Sequence, residues 1–177
     1  RGANDWRVTP ERHAVIGGGC HAIDLLRWIA GDPTEVYALS NRKRLTDWPV
    51  DDCAIAVMKF PNDVIGKVFV STGCKRNYTM RTLIYGTKGT IICDNTSDHI
   101  TYFGVNEDQT HKKAEEIPVG VNNHNVKGEI AVFVDAILNN KPIMMSADEG
   151  ARSAQACISI VESSDKGVPV QINYNFD

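Results

Sequence analysis

The chain has 177 residues and a formal net charge of −3, and this length suits a single domain. Its 19 Lys and Arg against 22 Asp and Glu argue against a nucleic-acid-binding surface. No apolar run is long enough for a membrane-spanning helix, and the 42% of apolar residues suffice for a packed core. The chain opens on Arg1 without an initiator Met or a signal-peptide pattern, so we expect it to be part of a longer protein.

The cysteine pattern favours free thiols. The count is odd, no two cysteines form a CxxC pair and no histidine tract accompanies them. This argues against a disulfide scaffold and against a zinc site, so no metal is expected. Free thiols are typical of the reducing cytoplasm, where we expect the protein to act. The cysteines are Cys20, Cys53, Cys74, Cys93 and Cys157.

The first part of the chain is predicted to be a polar, glycine-rich entry segment followed by a short helix. The entry segment, residues 1–19, ends in the run Gly17–Gly19. Apolar residues at near-helical spacing then predict a helix within residues 21–31. Gly31 supplies a left-handed stop, and the following Asp-Pro pair blocks continuation of the helix.

Residues 34–119 are predicted to form strands joined by turns. Apolar and polar residues alternate, and no stretch has helical periodicity. Sequential strands with short turns predict an antiparallel sheet, with Gly86–Gly89 as the loop of a central hairpin. The predicted strands cover residues 36–39, 54–60, 64–70, 81–85, 90–93, 99–103 and 115–119.

Residues 124–177 are predicted to be helical, with a last strand at 168–174. Two helices each carry an apolar stripe, and the second begins at the capping box Ser146–Glu149 and ends at Gly167. The stripes are Ile130, Phe133, Val134 and Ile137 in the first helix and Ala151, Ala154, Ile158 and Val161 in the second. The whole chain, 1–177, is therefore predicted to be one α+β domain: a large, mainly antiparallel open sheet with helices packed on one face.

The glycine run admits three interpretations. Gly17-x-Gly19-x-x-Ala22 fits a dinucleotide-binding fingerprint. We disfavour that interpretation, because the residues that follow predict strand after strand instead of the alternating strands and helices of a doubly wound fold. In the second interpretation Gly18 and Gly19 form a loop that lets a ligand lie against the backbone. The third is a flexible loop without a role.

His21 is the candidate catalytic residue. At the N-terminus of the predicted helix it would lie at the positive end of the macrodipole, which favours the neutral imidazole that a general base needs. Asp24 lies one turn further on and could orient the ring. The simpler alternative stays open: His21 caps or packs the helix, and Asp24 is a first-turn charge.

The segment Gly17–Trp28 resembles the start of the C-terminal domain of the Gfo/Idh/MocA oxidoreductases, in which a glycine-rich loop leads into H-x-x-D-x-x-x-W/Y. The hairpin Gly86–Thr90 is similar to the central hairpin of that family. The tail is similar as well, with Glu129, Phe133–Ile137, Pro142, Ser146, Gly150, Glu162–Ser164, Gly167 and Val170. The resemblance runs from about Trp6 to Asn173.

The resemblance implies an enzyme whose N-terminal Rossmann domain, absent from this chain, binds NAD or NADP. The C-terminal domain would bind a small sugar-like substrate and pair with another subunit through its open sheet, as a homodimer or larger oligomer. Such enzymes oxidise a secondary alcohol of a sugar or cyclitol, or reduce the ketone. The histidine at the position of His21 assists proton transfer while hydride moves to the nicotinamide. The chain alone is then expected to bind no cofactor and to be inert.

One departure from the family concerns the residue four positions before the histidine. Many members carry Asp there, and this chain has Gly17. A carboxylate relay to His21 is then missing unless Asp24 or another residue replaces it.

Weaker candidates for substrate contact lie elsewhere. The resemblance implies that Asn123 and His124, ahead of the first predicted helix of the tail, contact substrate, although they are also ordinary loop residues. Arg76, after a strand, could reach a polyol or acid, although a solvated charge is the simpler interpretation. Trp6 could line the same cleft.

Three function classes remain: a substrate-binding and oligomerisation domain of a dehydrogenase, a non-catalytic binding or assembly module of the same fold, and a minimal dinucleotide-binding protein. The first is favoured. Apolar residues on an uncovered sheet face would need a partner, so a dimer is predicted.

Overall fold

The computed structural model describes residues 9–120 and 125–176, which form two compact units. The first unit comprises Arg1–Lys75 and Met144–Asp177, and the second comprises Arg76–Ile143. No helix in the described ranges is long and apolar enough to cross a membrane. The strands are β1 (Glu35–Asn41), β2 (Cys53–Lys59), β3 (Ile65–Ser71), β4 (Arg81–Gly86), β5 (Gly89–Asp94), β6 (His99–Gly104), β7 (Glu115–Pro118) and β8 (Val170–Gln171), and the helices are α1 (Cys20–Ala30), α2 (Val126–Leu138) and α3 (Ala147–Lys166).

The first unit opens with a helix that begins earlier than the sequence predicts. A π-helical turn, Val15–Gly19, runs directly into α1, so the glycine run is helical and is not a loop. The prediction of a loop was wrong because glycine weakens a helix only modestly, and the surrounding contacts decide. The backbone N–H of Gly17 donates to the carbonyl of His13 at 2.8 Å. Gly31, at φ +86°, ends the helix as predicted.

The sheet of the first unit is antiparallel, with strand order β3-β2-β1-β8. Along the three long strands, buried side chains alternate with exposed ones, because successive side chains of a strand point to opposite faces. The buried side chains form one face of this first sheet, which packs beneath α1 and α3. The buried residues are Val36, Ala38, Ala54, Ala56, Met58, Val68 and Val70. The opposite face, which we call the outer face, carries the exposed Tyr37, Leu39, Ile55, Val57 and Phe69.

Helix α3 has the predicted ends but buries a different stripe. Its N-cap Ser146 accepts a hydrogen bond from the backbone N–H of Glu149, and Gly167 closes it at φ +68°. Ala154 and Ile158, expected to be buried, are exposed. The buried side is lined by Ser153, Ala156, Cys157, Ser159, Ile160 and Ser163.

The burial of the serines on that side cannot be predicted from the spacing of apolar residues, because it depends on hydrogen bonds to other elements. Ser163 Oγ accepts a hydrogen bond from the backbone N–H of Ala38 at 3.0 Å and donates to the carbonyl of Val168 at 2.7 Å. A hydroxyl whose donor and acceptor are both paired can be buried at little cost.

The second unit is an antiparallel sheet of order β4-β5-β6-β7, together with α2. Gly86 pairs with Gly89, so the turn between β4 and β5 has two central residues, Thr87 and Lys88, where a four-residue loop was predicted. Only Ala136 of α2 is buried among the residues described. The predicted apolar stripe of that helix is exposed, at Ile130, Phe133, Val134 and Ile137.

The α+β class and the mainly antiparallel pairing are confirmed. The strands hydrogen-bond as two four-stranded sheets, where one large sheet was predicted. The predicted last strand shortens to β8, which pairs with Glu35 and Val36 of β1. The assignment of all 177 residues to one domain remains a prediction, since within the described residues the contacts cluster into two units.

Candidate functional site

His21 lies on α1 with its side chain exposed, and its imidazole forms no hydrogen bond with any described residue. His21 is the second residue of α1, but the π-helical turn Val15–Gly19 precedes α1 without a break. The predicted effect of a free helix N-terminus on the imidazole is therefore wrong. The influence of the macrodipole falls off within the first turn. His21 is therefore an exposed imidazole on a continuous helix.

Asp24 does not hydrogen-bond the imidazole of His21. Its carboxylate accepts a short hydrogen bond from Ser153 Oγ on α3, and Oδ1 lies 3.5 Å from Nη1 of Arg27. The carboxylate is thus held within α1 and α3, on the helix side of the first unit. Its predicted role in substrate binding remains a prediction.

Arg27 connects α1 to α3 and is the most heavily bonded side chain near His21. It is 6% exposed and donates to Asp32 at 2.8 Å, to Glu149 Oε2 at 3.0 Å and to Ser153 Oγ at 2.6 Å. Burial lowers the pKa of its guanidinium, but the hydrogen bonds and charges of Asp32 and Glu149 outweigh burial and raise that pKa overall. This network holds the helix that carries His21 in one position.

The three glycines ahead of His21 have different surroundings. A Cβ on Gly19 would lie 2.7 Å from Cγ2 of Val70, so any side chain here would force α1 or Val70 to shift. Gly18 is exposed, and its Cβ would lie 3.4 Å from Cγ2 of Thr72, an ordinary contact. Gly18 is thus the glycine at which a ligand could approach the backbone, while Gly19 is buried in the packing of helix on strand.

The segment Gly17–Ala22 does not have the structure of a dinucleotide-binding turn. Such a turn follows a parallel strand and presents its glycines before the helix begins. Here the described residues ahead of the glycines, 9–16, form no strand, the glycines themselves are helical, and the sheet beneath them is antiparallel. The residues present therefore do not fit a nicotinamide dinucleotide at this position.

The remaining predicted contacts are only partly described. Trp6, Asn123 and His124 lie outside the described residues. Arg76 is exposed at the start of the second unit. In the described part of the chain, no group of three His, Cys, Asp or Glu side chains is placed to hold a metal ion.

His13 is a buried residue that sequence reasoning did not single out. It is 7% exposed, and its Nδ1 accepts a hydrogen bond from the backbone N–H of Val15 at 3.2 Å. Its Nε2 has no hydrogen-bond partner among the described residues. Burial lowers the pKa of His13, and the charges of Asp51 and Asp165 oppose that shift. Its neutral ring supports the first turn of the helix. No periodicity or motif marks this role, since it depends on folding.

Comparison with known proteins bears on the family and on the fold. The Gfo/Idh/MocA C-terminal domain family matches residues 1–92. The dehydrogenase FPY6 of Fusarium mangiferae is 31% identical over 144 residues, which are 78% of this chain and 40% of that relative. The chain thus spans less than half the length of this curated relative.

Solved structures of similar fold are also about twice as long as this chain. Levoglucosan dehydrogenase in complex with NADH superposes with a TM-score of 0.83 at 20% identity, covering 96% of this chain and 53% of its own. An oxidoreductase domain protein from Kribbella flavida gives 0.81 at 19% identity, with coverage of 96% and 53%. The WlbA dehydrogenase from Bordetella pertussis, in complex with NADH and UDP-GlcNAcA, gives 0.69 at 17% identity, with coverage of 91% and 45%. At these identities the likeness concerns the fold.

The family match covers more than half of the chain and includes the glycine run, α1 and the first four strands. The two antiparallel sheets with their helices agree with the fold of the solved dehydrogenases. The chain therefore belongs to the Gfo/Idh/MocA family of oxidoreductases, as its C-terminal domain.

Proposed function

We propose that this chain is the substrate-binding and dimerisation domain of an NAD(P)-dependent oxidoreductase that acts on a secondary alcohol, or the corresponding ketone, of a sugar or cyclitol. The observation that carries the proposal is the exposed imidazole of His21 on a helix fixed by the buried guanidinium of Arg27. An acid–base group must be open to its substrate and held by a rigid support. His21 meets both requirements.

In the oxidation direction, the neutral imidazole of His21 takes the proton of the substrate hydroxyl as the C–H bond at the same carbon breaks. The electron pair of the O–H bond becomes the second bond of the carbonyl. A bound nicotinamide supplies the acceptor for the hydride. In the reverse direction the imidazolium returns the proton to the carbonyl oxygen.

The absence of a carboxylate at Gly17 shapes this proposal. Because Asp24 is bonded to Ser153 and paired with Arg27, it is not available to orient the ring of His21. The ring is exposed, so its proton can exchange with water. We therefore propose that His21 acts without a carboxylate relay and passes its proton to solvent.

Substrate contacts and the cofactor complete the proposal. Gly18 is exposed one turn before His21 and fits a contact with substrate. The fingerprint Gly17–Ala22 does not fit a dinucleotide, so we place NAD or NADP on the part of the enzyme that the longer relatives have in addition. The odd number of cysteines favours free thiols, which are typical of the reducing cytoplasm, so we propose that the protein acts there. Asp24, Trp6, Arg76, Asn123 and His124 each stay candidates for substrate contact, whereas Gly19 is buried against Val70 and does not.

Dimerisation through the outer face of the first sheet follows from its exposed apolar side chains. Ile55 lies between Leu39 of β1 and Phe69 of β3 in the strand register, so the three form one continuous row. Phe69 is 65% exposed. Contiguous apolar surface of this kind marks a protein interface, and a second copy presents the same surface in a twofold dimer.

Light scattering tests the dimer. Phe69→Lys should convert it to a monomer at micromolar concentration, because a charge would be buried at the interface. Ile158→Lys is the matched control, since Ile158 is 50% exposed on α3, away from the outer face. The proposed interface would be refuted if the unaltered chain is a monomer, or if both variants dissociate to the same extent.

The catalytic proposal is tested in the complete enzyme that carries this chain, by steady-state kinetics with a panel of sugars and cyclitols. His21→Gln should lower kcat about 10²–10⁴-fold, while NADH binding stays unchanged. His111→Gln, at another exposed histidine, should have no effect. Unchanged turnover in His21→Gln would refute the assignment, and a dimer without turnover on any substrate would favour the assembly-module alternative.

A further inference from the structure

A cleft in the first unit, beside the ends of β1 and β3, has no role in the function proposed above. Its volume is about 270 Å³, below the roughly 300–1,000 Å³ of pockets for drug-sized ligands. The size fits a small ligand or one group of a larger ligand. The cleft is lined by Asn41, Lys43, Arg44, Asp52, Cys53, Ser71, Gly73, Cys74 and Lys75.

The charge of this cleft is positive, although the chain as a whole is negative. Three cations, Lys43, Arg44 and Lys75, line it against one carboxylate, Asp52. Within the described ranges, no ion pair joins any of the three cations to a carboxylate. Three cations around one small cavity repel one another, and an anion between them would relieve that repulsion.

Asp52 offsets only part of this positive charge, because it is one carboxylate against three cations. It is 2% exposed, and its Oδ2 accepts hydrogen bonds from the backbone N–H groups of Arg44, at 2.8 Å, and Leu45. The carboxylate thereby fixes the loop after β1. The side chains of Lys43 and Arg44 are left at the cleft.

Gly73 allows the stem of Arg44 to pack at the wall of the cleft. A Cβ on Gly73 would lie 2.7 Å from Cγ and 2.8 Å from Cβ of Arg44, so any larger residue would displace the arginine. The root of this side chain is held by that packing and by the bond from its backbone N–H to Asp52. The contacts hold only the first carbons of the side chain, and Arg44 is exposed, so its guanidinium is open to a ligand. A side chain held at its root loses less freedom when it binds an anion than one that is free throughout.

From this geometry we propose that the cleft formed by Lys43, Arg44 and Lys75 binds a phosphate-type oxyanion. Guanidinium and ammonium groups form their strongest hydrogen bonds with such oxygens. The ligand is either inorganic phosphate or the phosphate group of a phosphorylated sugar. The proposal does not depend on His21, on a nicotinamide or on dimer formation.

Isothermal titration calorimetry on the 177-residue chain tests the site, with inorganic phosphate and glucose 6-phosphate as separate ligands at constant ionic strength. Lys43→Gln and Lys75→Gln should each weaken saturable binding about tenfold or more, the loss expected for one charge-assisted contact. Lys67→Gln is the control, because Lys67 is an exposed lysine of β3 outside the cleft.

A second measurement locates the anion without using affinity. Cys74 lines the cleft with its side chain exposed, so bound phosphate should slow its alkylation by iodoacetamide at least about threefold, a shielding expected of an anion held among cationic side chains. Peptide mass spectrometry reads Cys74 separately from Cys93, which lies in the second unit and should react at an unchanged rate.

The outcomes separate the two ligand sources and can refute the site. Tighter binding of glucose 6-phosphate identifies a sugar phosphate as the ligand, and equal binding identifies free phosphate. No saturable binding of either, an equal loss in Lys67→Gln, or alkylation of Cys74 that phosphate leaves unchanged would overturn the proposal. Each of these results is independent of turnover by His21.

Discussion

Two of the three glycines that precede α1 allow a sharp test of how the helix packs on β3. Gly18 and Gly19 are neighbours in the same π-helical turn. A Cβ on Gly19 would lie 2.7 Å from Cγ2 of Val70, and one on Gly18 would lie 3.4 Å from Cγ2 of Thr72. Both substitutions to Ala add one methyl group to the same helical turn. The structure has space for that methyl group at Gly18 but not at Gly19.

The magnitude follows from two terms. Replacing glycine by alanine within a helix stabilises by about 0.5–1 kcal/mol, and this term is common to both variants. Gly19→Ala adds overpacking, because carbon atoms prefer separations of about 3.5–4.0 Å and the packed core must move to restore that distance. Overpacking of this kind costs about 1–3 kcal/mol. Gly18→Ala should thus be more stable than Gly19→Ala by about 1–3 kcal/mol.

Urea unfolding followed by circular dichroism measures this difference in the free energy of unfolding. For a chain of this length each kcal/mol moves Tm by about 2–4 °C, so thermal scans check the result. Val70→Ala removes the clashing methyl group, and the cost of Gly19→Ala should fall by 0.5 kcal/mol or more in the double variant, the coupling typical of residues in contact.

Two results would refute this reasoning. If Gly18→Ala destabilises the chain as much as Gly19→Ala, the glycines are required by the backbone and not by the space beside Val70. If Val70→Ala does not relieve Gly19→Ala, the helix does not lie on β3 as described. Either result would also remove the support for the position of His21, because α1 carries that residue.

Three further substitutions test other contacts. Ser163→Ala leaves the N–H of Ala38 unpaired in the core and should cost about 1–3 kcal/mol by urea unfolding. Hydrogen bonds from Thr96 and Arg81 lower the pKa of Asp94 from 3.8 to about 2, so its contribution to stability is present above pH 4 and is lost as the pH falls towards 2. Asp94→Asn should therefore lower Tm at pH 7 and reduce the difference in Tm between pH 7 and pH 3. The same difference in Tm in the variant and the unaltered chain would contradict this. Arg27→Met leaves the carboxylate of Glu149 without its ion-pair partner, whereas Asp32 keeps Arg152, and should cost about 1–3 kcal/mol of unfolding free energy. An unchanged free energy of unfolding would contradict a stabilising role for Arg27.

Local patterns in the sequence were sufficient for the fold class and for most elements. Alternation of apolar and polar residues identified the strands, because successive side chains of a strand point to opposite faces. Sequential strands joined by short turns across residues 34–119 implied antiparallel pairing, which the structure confirms. The ends of α3 were also predictable, since Ser146 and Gly167 act on backbone groups within a few residues of themselves.

The features that only the tertiary structure decided are contacts between residues far apart in sequence. The glycine run became helical because Gly19 fits against Val70, and α3 turned its serines inward because Ser163 meets the backbone of β1. The cationic cleft joins side chains from three separate segments of the chain. A periodicity records which residues share a face of one element, but it does not record what that face meets, and the partner determines whether a glycine, a serine or a lysine has a role.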